Sequence, residues 1–366
     1  MLTLLLLSGG GHTGANIMAT LIARRESLRL VATSDIAHEP SLFAFDAVYL
    51  APMLAEDPEA FERRILDIIE REQPQLVVPC RDEDVQWLAG LRERRPDLAT
   101  RLLCGNRDVA EVVNDKWLSY EFCRRHGLPF AESLLLDASV ETSGFVAQVG
   151  LPLVAKPRHG VNAAGILLLT TSAQVDRARL LHDYVLQQYL GDAGALHHYV
   201  QSVADDGVPL FHSFLGQKRS IQIMIAPDGT IDYIACTLNQ MSGRISRSIA
   251  WDHDPEARRI GERCARVFAD AGWRGPLNIQ CQPAPNGELI IHEFNARFTG
   301  ATSARWQLGI DEIGTAIRLF AGRHIVQDNR AHDWPVVAVE SLAALAAGPA
   351  NINALATHGY WQREHG

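Results

Sequence analysis

No two of the six cysteines form a C-x-x-C pair; Cys80, Cys104, Cys123, Cys236, Cys264 and Cys281 are scattered along the chain. That spacing suggests neither a zinc site nor a disulfide framework, and buried free thiols are expected. No uninterrupted apolar run approaches about 18 residues, so the sequence predicts no membrane span. The opening MLTLLLL has no basic flank and is too short for a signal-peptide apolar region plus cleavage site, so a cytoplasmic protein is expected. Positive charge is also in short supply. A net charge of −9 argues against a nucleic-acid partner held by a basic surface. It leaves phosphate ligands open, because a few local cations suffice for those. Internal repeats and low-complexity tracts are absent too. What is there is ordinary for a globular chain: 366 residues, 47% hydrophobic and 21% charged, enough for two or three domains.

The first 105 residues alternate strands with helices. LTLLLL leads through a glycine turn into a helix, then come LRLVATSD, DAVYLAP, a helix around PEAFERRILDIIERE, QLVVPC, the helix DEDVQWLAGLRER and a short strand RLLCG. That order predicts a parallel sheet covered on both faces, an α/β domain. A helix over DVAEVVNDKWLSYEFCRRHG follows and stops at Gly127, a suitable C-terminal glycine. Beyond it the pattern becomes α+β. The strands ESLLL and LPLVAKP are separated by a helix near VETSGFVAQVG, the loop RHGVNAAG leads to ILLLTT, and another helix precedes YVLQQYLG. A Pro-Asp-Gly hairpin joins RSIQIMIA to TIDYIACTL, and after a long helix PLNIQCQ pairs with ELIIHEF. The divisions expected are 1–105, 106–185, 186–345 and a tail, 346–366, with residues 191–216 looking like an insertion.

Residues 290–300, IIHEFNARFTG, begin as a buried strand and then place Glu293, Asn295 and Arg297 at alternate positions. Alternate residues on a strand share a face. A solvated edge with a surface ion pair is one reading. A platform for a hard cation is the other: Mg²⁺ takes carboxylate and amide oxygens, and a guanidinium beside it would meet phosphate.

Two nucleotide signals compete. Gly9-x-Gly11-x-x-Gly14 lies between a strand and a helix, with Asp35 at the end of the next strand, which is a dinucleotide fingerprint in its usual setting. Taken by itself it favours a nicotinamide- or flavin-dependent enzyme, although tight turns in such sheets need glycines regardless. The second signal is distributed: Lys116 in NDKW, Lys156 ending LPLVAKP just before the small-residue loop RHGVNAAG, the glutamine-bearing strand YVLQQYL, and NIQCQ opposite HEFNAR, with Gln280 or Gln282 beside Glu293.

In order and wording these pieces resemble the ATP-grasp superfamily, particularly its carbamoyl-phosphate-synthetase-like branch, over residues 1–300. The resemblance implies a Rossmann-like pre-ATP-grasp domain followed by a two-subdomain ATP-grasp fold. It implies ATP with Mg²⁺ or Mn²⁺ as cofactors, and it makes the glycine turn structural. By position, Lys116 and Lys156 match phosphate-contacting cations, and Gly160 to Gly165 a phosphate loop. Gln187, Gln188, Tyr189 and Leu190 match the adenine hinge. Gln280, Glu293 and Asn295 match metal ligands, with Arg297 on phosphate or acyl phosphate. The departures are Gln187-Gln188 where the hinge usually has an acid, Gln280 for a glutamate, and Gln222 for an acid after the hinge. FHSFLG, closing the insertion, offers a rival hinge strand. The activity implied is ligation of a small-molecule carboxylate to an amine through an acyl phosphate, of the amino-acid or pyrrolysine-pathway type, with ADP and phosphate released and a homodimer left open. Lys156 and Arg297 would act on the transferring group. Arg244 and Arg247 in SGRISRS stand where a substrate carboxylate could be gripped, or on a solvated strand edge. The rival readings are an NAD-dependent oxidoreductase and a non-catalytic ATP-binding protein.

Overall fold

The computed structural model describes residues 1–160, 164–207, 215–242, 245–325 and 347–363; the side chains at 215–216, 242 and 245–247 fall outside the description. The first unit runs β1 (Leu2–Leu7), α1 (His12–Leu21), β2 (Leu28–Ser34), β3 (Ala47–Leu50), α2 (Pro58–Glu72), β4 (Leu76–Pro79) and α3 (Asp82–Arg94). β1 pairs in parallel with β2 and β4, and β2 in parallel with β3. All six residues of β1 are buried, as a strand covered on both faces requires. The strand expected at RLLCG reduces to one parallel bridge between Val77 and Leu102. Only Leu102 and Leu103 reach β4 before the Cys104 amide turns back onto the Leu102 carbonyl.

The single helix expected next is two, α4 (Arg107–Asn114) and α5 (Lys116–Arg125). Asp115 breaks it: its backbone is extended, and its carboxylate accepts from the Trp117 and Leu118 amides at 2.8 and 3.2 Å. Then come β5 (Ser133–Leu135), α6 (Ser143–Val149), β6 (Leu153–Pro157), β7 (Leu167–Leu169), α7 (Ser172–Ala178) and β8 (Tyr184–Gln188). They form an antiparallel sheet in the order β5-β8-β6-β7 with its own small core of Leu136, Leu153, Ala155, Leu169, Val175 and Leu186. A division between 185 and 186 would cut through β8, because the chain leaves this sheet only after Gln188. α8 (Ala193–Asp206) forms most of the described part of the segment expected as an insertion, whose last two residues already belong to the next strand; FHSF lies outside the described residues.

The third sheet uses β9 (Leu215–Ile225), β10 (Ile231–Ser242), β11 (Ile245–Trp251), β12 (Gly275–Pro283) and β13 (Leu289–Asn295), with α9 (Pro255–Asp270) between β11 and β12. Its order is β11-β10-β9-β12-β13, every pair antiparallel. One face is apolar: Ile221, Ile223, Leu277, Ile279 and Cys281 pack with Ile260, Cys264 and Phe268 of α9 in a core shared with the first sheet. The chain continues through α10 (Thr302–Gln307), α11 (Glu312–Ala321), α12 (Pro349–His358) and β14 (Tyr360–Gln362). The segment expected as a tail instead returns to the first unit, where β14 pairs antiparallel with β3 and Leu355 is buried. The six free cysteines are all buried. Among the described residues no helix is long and apolar enough to cross a membrane.

Candidate functional site

The other face of the third sheet is polar and largely buried. Ser220 and Gln222 of β9, Asn278 of β12, Thr237 and Asn239 of β10 and Asn295 of β13 are all buried. The Asn278 amide donates to Ser220 Oγ at 2.7 Å and to Gln222 Oε1 at 3.0 Å. Buried polar side chains must find hydrogen-bond partners, and Asn278, Ser220 and Gln222 find them in one another.

Period-two counting would put Glu293 on the core face with Ile291. The structure inserts one extra residue: Gln280 pairs with Glu293 but Cys281 pairs with Ile291, so His292 is the bulge. The bulge turns Glu293 and Asn295 to the polar face, opposite Gln280 and Asn278. Gln282 lies further along, opposite Ile290, and donates to the Gln217 carbonyl at 3.3 Å. The outer edge of β13 is covered by residues 129–131, whose backbone exchanges 2.8 Å bonds with Ile291. β13 ends at Asn295, so Arg297 follows the strand and does not project from it as the alternation suggested. Its guanidinium meets Asp82 of α3 at 2.8 and 2.9 Å. Burial works against that charge, but Asp82 holds the arginine above its ordinary pKa.

Lys116, Gly160, Asp82, His292, Glu293 and Asn295 line one cleft. The Lys116 ammonium reaches the Gly160 carbonyl at 3.3 Å, tying α5 to the loop after β6. Asp115 pairs with Arg158 in that same loop. Lys156 donates to Gln187 Oε1 at 2.6 Å. Burial pushes its pKa down to about 8 and nearby Lys116 adds to the fall, while Glu293 opposes it. Gly165 has φ +72°, and a Cβ there would lie 2.7 Å from the Tyr184 hydroxyl, so this end of the loop requires glycine. Residues 161–163 lie outside the described residues, as does Arg244; Arg247 contributes backbone to β11, and its side chain is outside the description.

The hinge residues divide. Gln187 and Gln188 lie within β8, paired with β5 and β6, and the Gln187 side chain is buried between Lys156 and Ser133. Tyr189 and Leu190 follow the strand. Sequence reading missed three groups here. Lys218 of β9 donates to Gln280 Oε1 at 3.3 Å. His292, whose Nε2 has no hydrogen-bond partner among the described residues, is held well below its ordinary pKa by burial and by Lys156 and Lys218. Asp82 is the third. Lys218 could have been found by its period with Ser220 and Gln222; Asp82 belongs to another domain and carries no local signal.

The donor set suits a hard cation. Glu293 offers a carboxylate, Asn295 and Gln280 offer amide oxygens, and the Asn295 Nδ2 is buried without a partner among the described residues. No three His, Cys, Asp or Glu side chains converge among the described residues, so an imidazole- or thiolate-based centre is not assembled there.

The glycine turn is differently occupied. A Cβ on Gly14 would lie 1.9 Å from the Gly9 carbonyl, so close packing of turn on helix demands that glycine. The Glu39 carboxylate lies against Gly10, where a pyrophosphate would meet like charge. Asp35 is engaged by Arg81 at 2.7 Å, and His12, opening α1, packs against Gly300.

No family model matches the chain. Among curated proteins it is similar to the D-alanine–D-alanine ligase of Chromohalobacter salexigens, 26% identical over 182 residues, 50% of this chain and 54% of that ligase. The chain thus spans about half the length of that relative. Among solved structures it resembles N5-carboxyaminoimidazole ribonucleotide synthetase from Thermotoga maritima, with TM-score 0.58, 17% identity, and coverage of 89% of this chain and 77% of that one. The L-amino acid ligase from Bacillus licheniformis gives TM-score 0.59 at 15% identity, covering 83% and 69%. The polar sheet, the small lysine-bearing sheet and the Rossmann-like domain together have the fold of these ATP-grasp structures. Nothing found supports the oxidoreductase alternative.

Proposed function

We propose that the chain is an ATP-dependent carboxylate–amine ligase working through an acyl phosphate. The observation that carries this reading is the meeting of three units on one cleft: Lys116 and Gly160 from α5 and the phosphate loop, Glu293 and Asn295 from the third sheet, and Asp82 from the first domain. Lys156 joins them from β6, close enough for Glu293 and Lys116 to act on its charge. A cluster of ammonium groups around one carboxylate and several amide oxygens is suited to a polyphosphate and its counter-ion.

Glu293 and Asn295, with Gln280 across the ladder beside them, would be the oxygen donors nearest a bound Mg²⁺ or Mn²⁺, which offsets charge on phosphate oxygens. The lysines bind the phosphates, and Tyr189 and Leu190 are left to meet the adenine. A substrate carboxylate oxygen attacks the γ-phosphorus and the bond to ADP breaks, giving an acyl phosphate and ADP. The carboxylate is already ionised near neutral pH, so this step needs no base. The amine nitrogen then attacks the acyl carbon, phosphate leaves with the bonding pair, and the nitrogen loses a proton. Alignment and fixed positive charge supply the acceleration. The two named relatives that are amino-acid ligases favour amino-acid substrates for this chain.

A panel of amino acids and small acids, each with and without an amine, tests this by ADP release and by hydroxylamine capture of the acyl phosphate as a hydroxamate. Acid-dependent ADP, suppressed at least about tenfold by Lys156→Met, is expected. AMP and pyrophosphate as products would instead mean adenylation and overturn the acyl-phosphate route.

A further inference from the structure

The geometry points to Lys218 standing in for a second divalent cation, so that the platform loads a single metal ion with its nucleotide. This goes one step beyond the ATP-binding reading and depends on it.

Gln280 lies directly across the ladder from Glu293, and with Lys218 on its oxygen the single ion is left to Glu293 and Asn295. The Gln280 Oε1 already accepts from the Lys218 ammonium at 3.3 Å. An ammonium has only donors, so it must face the oxygen end of that amide, the same atom a metal would use. Magnesium and ammonium on one neutral oxygen would repel each other, and a glutamine lacks the second, charged oxygen that could serve both. Lys218 is embedded in the site, since its charge acts with that of Lys156 on His292. Its strand holds it in register: Ser220, two residues on, pairs with Gln280.

Charge balance leads to the same place. Counted over the described residues alone, Lys116, Lys156, Lys218 and Arg297 stand with Glu293 and Asp82, a formal excess of two positive charges. A triphosphate carries roughly four negative charges near neutral pH. One divalent ion closes that gap; a second would overshoot it and would have to displace Lys218 from Gln280. An isolated amide pair at this position would need the second ion, and the lysine removes the need.

The test counts ions and needs no substrate. The full chain is saturated with a non-hydrolysable ATP analogue, its binding is confirmed by calorimetry, and Mn²⁺ is titrated while the free-ion paramagnetic resonance signal is followed. Wild type should bind one Mn²⁺ per chain. Lys218→Met combined with Gln280→Glu should bind two, and Lys218→Arg should still bind one. Two ions in the wild type, or one in a double variant that keeps its analogue affinity, would overturn the inference while leaving ATP binding intact. If the double variant fails to fold, the wild-type count decides. Failure of the analogue to bind at all overturns the ATP-binding reading, and this inference with it.

Discussion

Asp84 is a carboxyl whose environment opposes its charge. It is buried, and burial pushes its carboxyl up to about 6 against hydrogen bonds from the Arg81 amide, the Ser8 hydroxyl and the Cys80 amide. Its unfolded value lies near 3.9, so the native state binds the extra proton between the two. Stability from this group is therefore fully present below about pH 4 and lost as pH rises through about 6. Measured against Asp84→Asn, which does not titrate, the wild type should lose up to about 3 kcal/mol between pH 4 and pH 7.5. Urea titrations at both pH values check it, and a stability difference that does not change with pH would refute it. Glu293→Gln tests a different residue property: metal-dependent nucleotide affinity should fall at least about tenfold, with the apo-protein's thermal transition close to wild type. Affinity indifferent to EDTA and to the substitution would remove the metal platform. At this scale the proposed chemistry was legible in Lys116, Lys156, Glu293 and Asn295 through their order along the chain, which carries the resemblance, and not through any one of them alone. The sequence could not show that Arg297 is taken by Asp82, 215 residues away in sequence, nor that Asp84 is buried.

Elements were legible where their periodicity was long and illegible where one residue changes the geometry. Every strand of the third sheet that lines the site follows from alternation in β9, β10 and β12, yet the functional face of β13 depends on the bulge at His292, which alternation places wrongly. The α4–α5 break was hidden for a related reason. DVAEVVNDKWLSYEF has continuous helical periodicity, and only the capping geometry of Asp115 interrupts it. That aspartate also faces Arg158, and its carboxyl sits below the ordinary range because Arg158 and the Trp117 and Leu118 amides outweigh the burial that opposes them. Asp115→Ala should remove the cap and strand Arg158 without its partner, costing about 2–4 kcal/mol by chemical denaturation. Because Arg158 leads into the loop that holds Gly160, nucleotide affinity should weaken too. Asp115→Asn keeps the cap acceptor and should recover about half the stability, with less recovery of affinity. Equal losses in the two variants would mean the cap contributes nothing, and an Asp115→Asn variant as stable as wild type would mean the arginine pairing contributes nothing.

Across the whole molecule, the domains are bound by more than chain continuity. Arg24, between α1 and β2, pairs with Asp311 at 2.9 Å and lies 4.1 Å over the Trp306 ring, so the first domain grips the α10–α11 region. The C-terminal segment completes the first sheet. The Leu50 amide bonds to the Gly359 carbonyl at 2.9 Å, the Arg363 amide to the Asp46 carbonyl at 2.8 Å, and Tyr360 stacks near Tyr49 with ring centres 4.6 Å apart. Without β14 the outer edge of β3 would expose unpaired amides and carbonyls beside buried Ala47 and Val48, an edge open to pairing with another copy. A chain stopped at residue 346 should therefore lose about 3 kcal/mol or more from Leu355 and the ring contacts alone. It should also self-associate, seen by light scattering at concentrations where the full chain does not. Leu355→Ala separates the two effects: it removes core packing worth about 2–5 kcal/mol but leaves β14 on the edge, so it should lower the thermal transition without promoting association. The residues proposed to hold nucleotide and metal all lie outside this segment, and whatever truncated protein remains monomeric should bind nucleotide with near wild-type affinity. A truncated chain that stays monomeric and melts with the full chain would show that β14 neither protects that edge nor completes the sheet's stability.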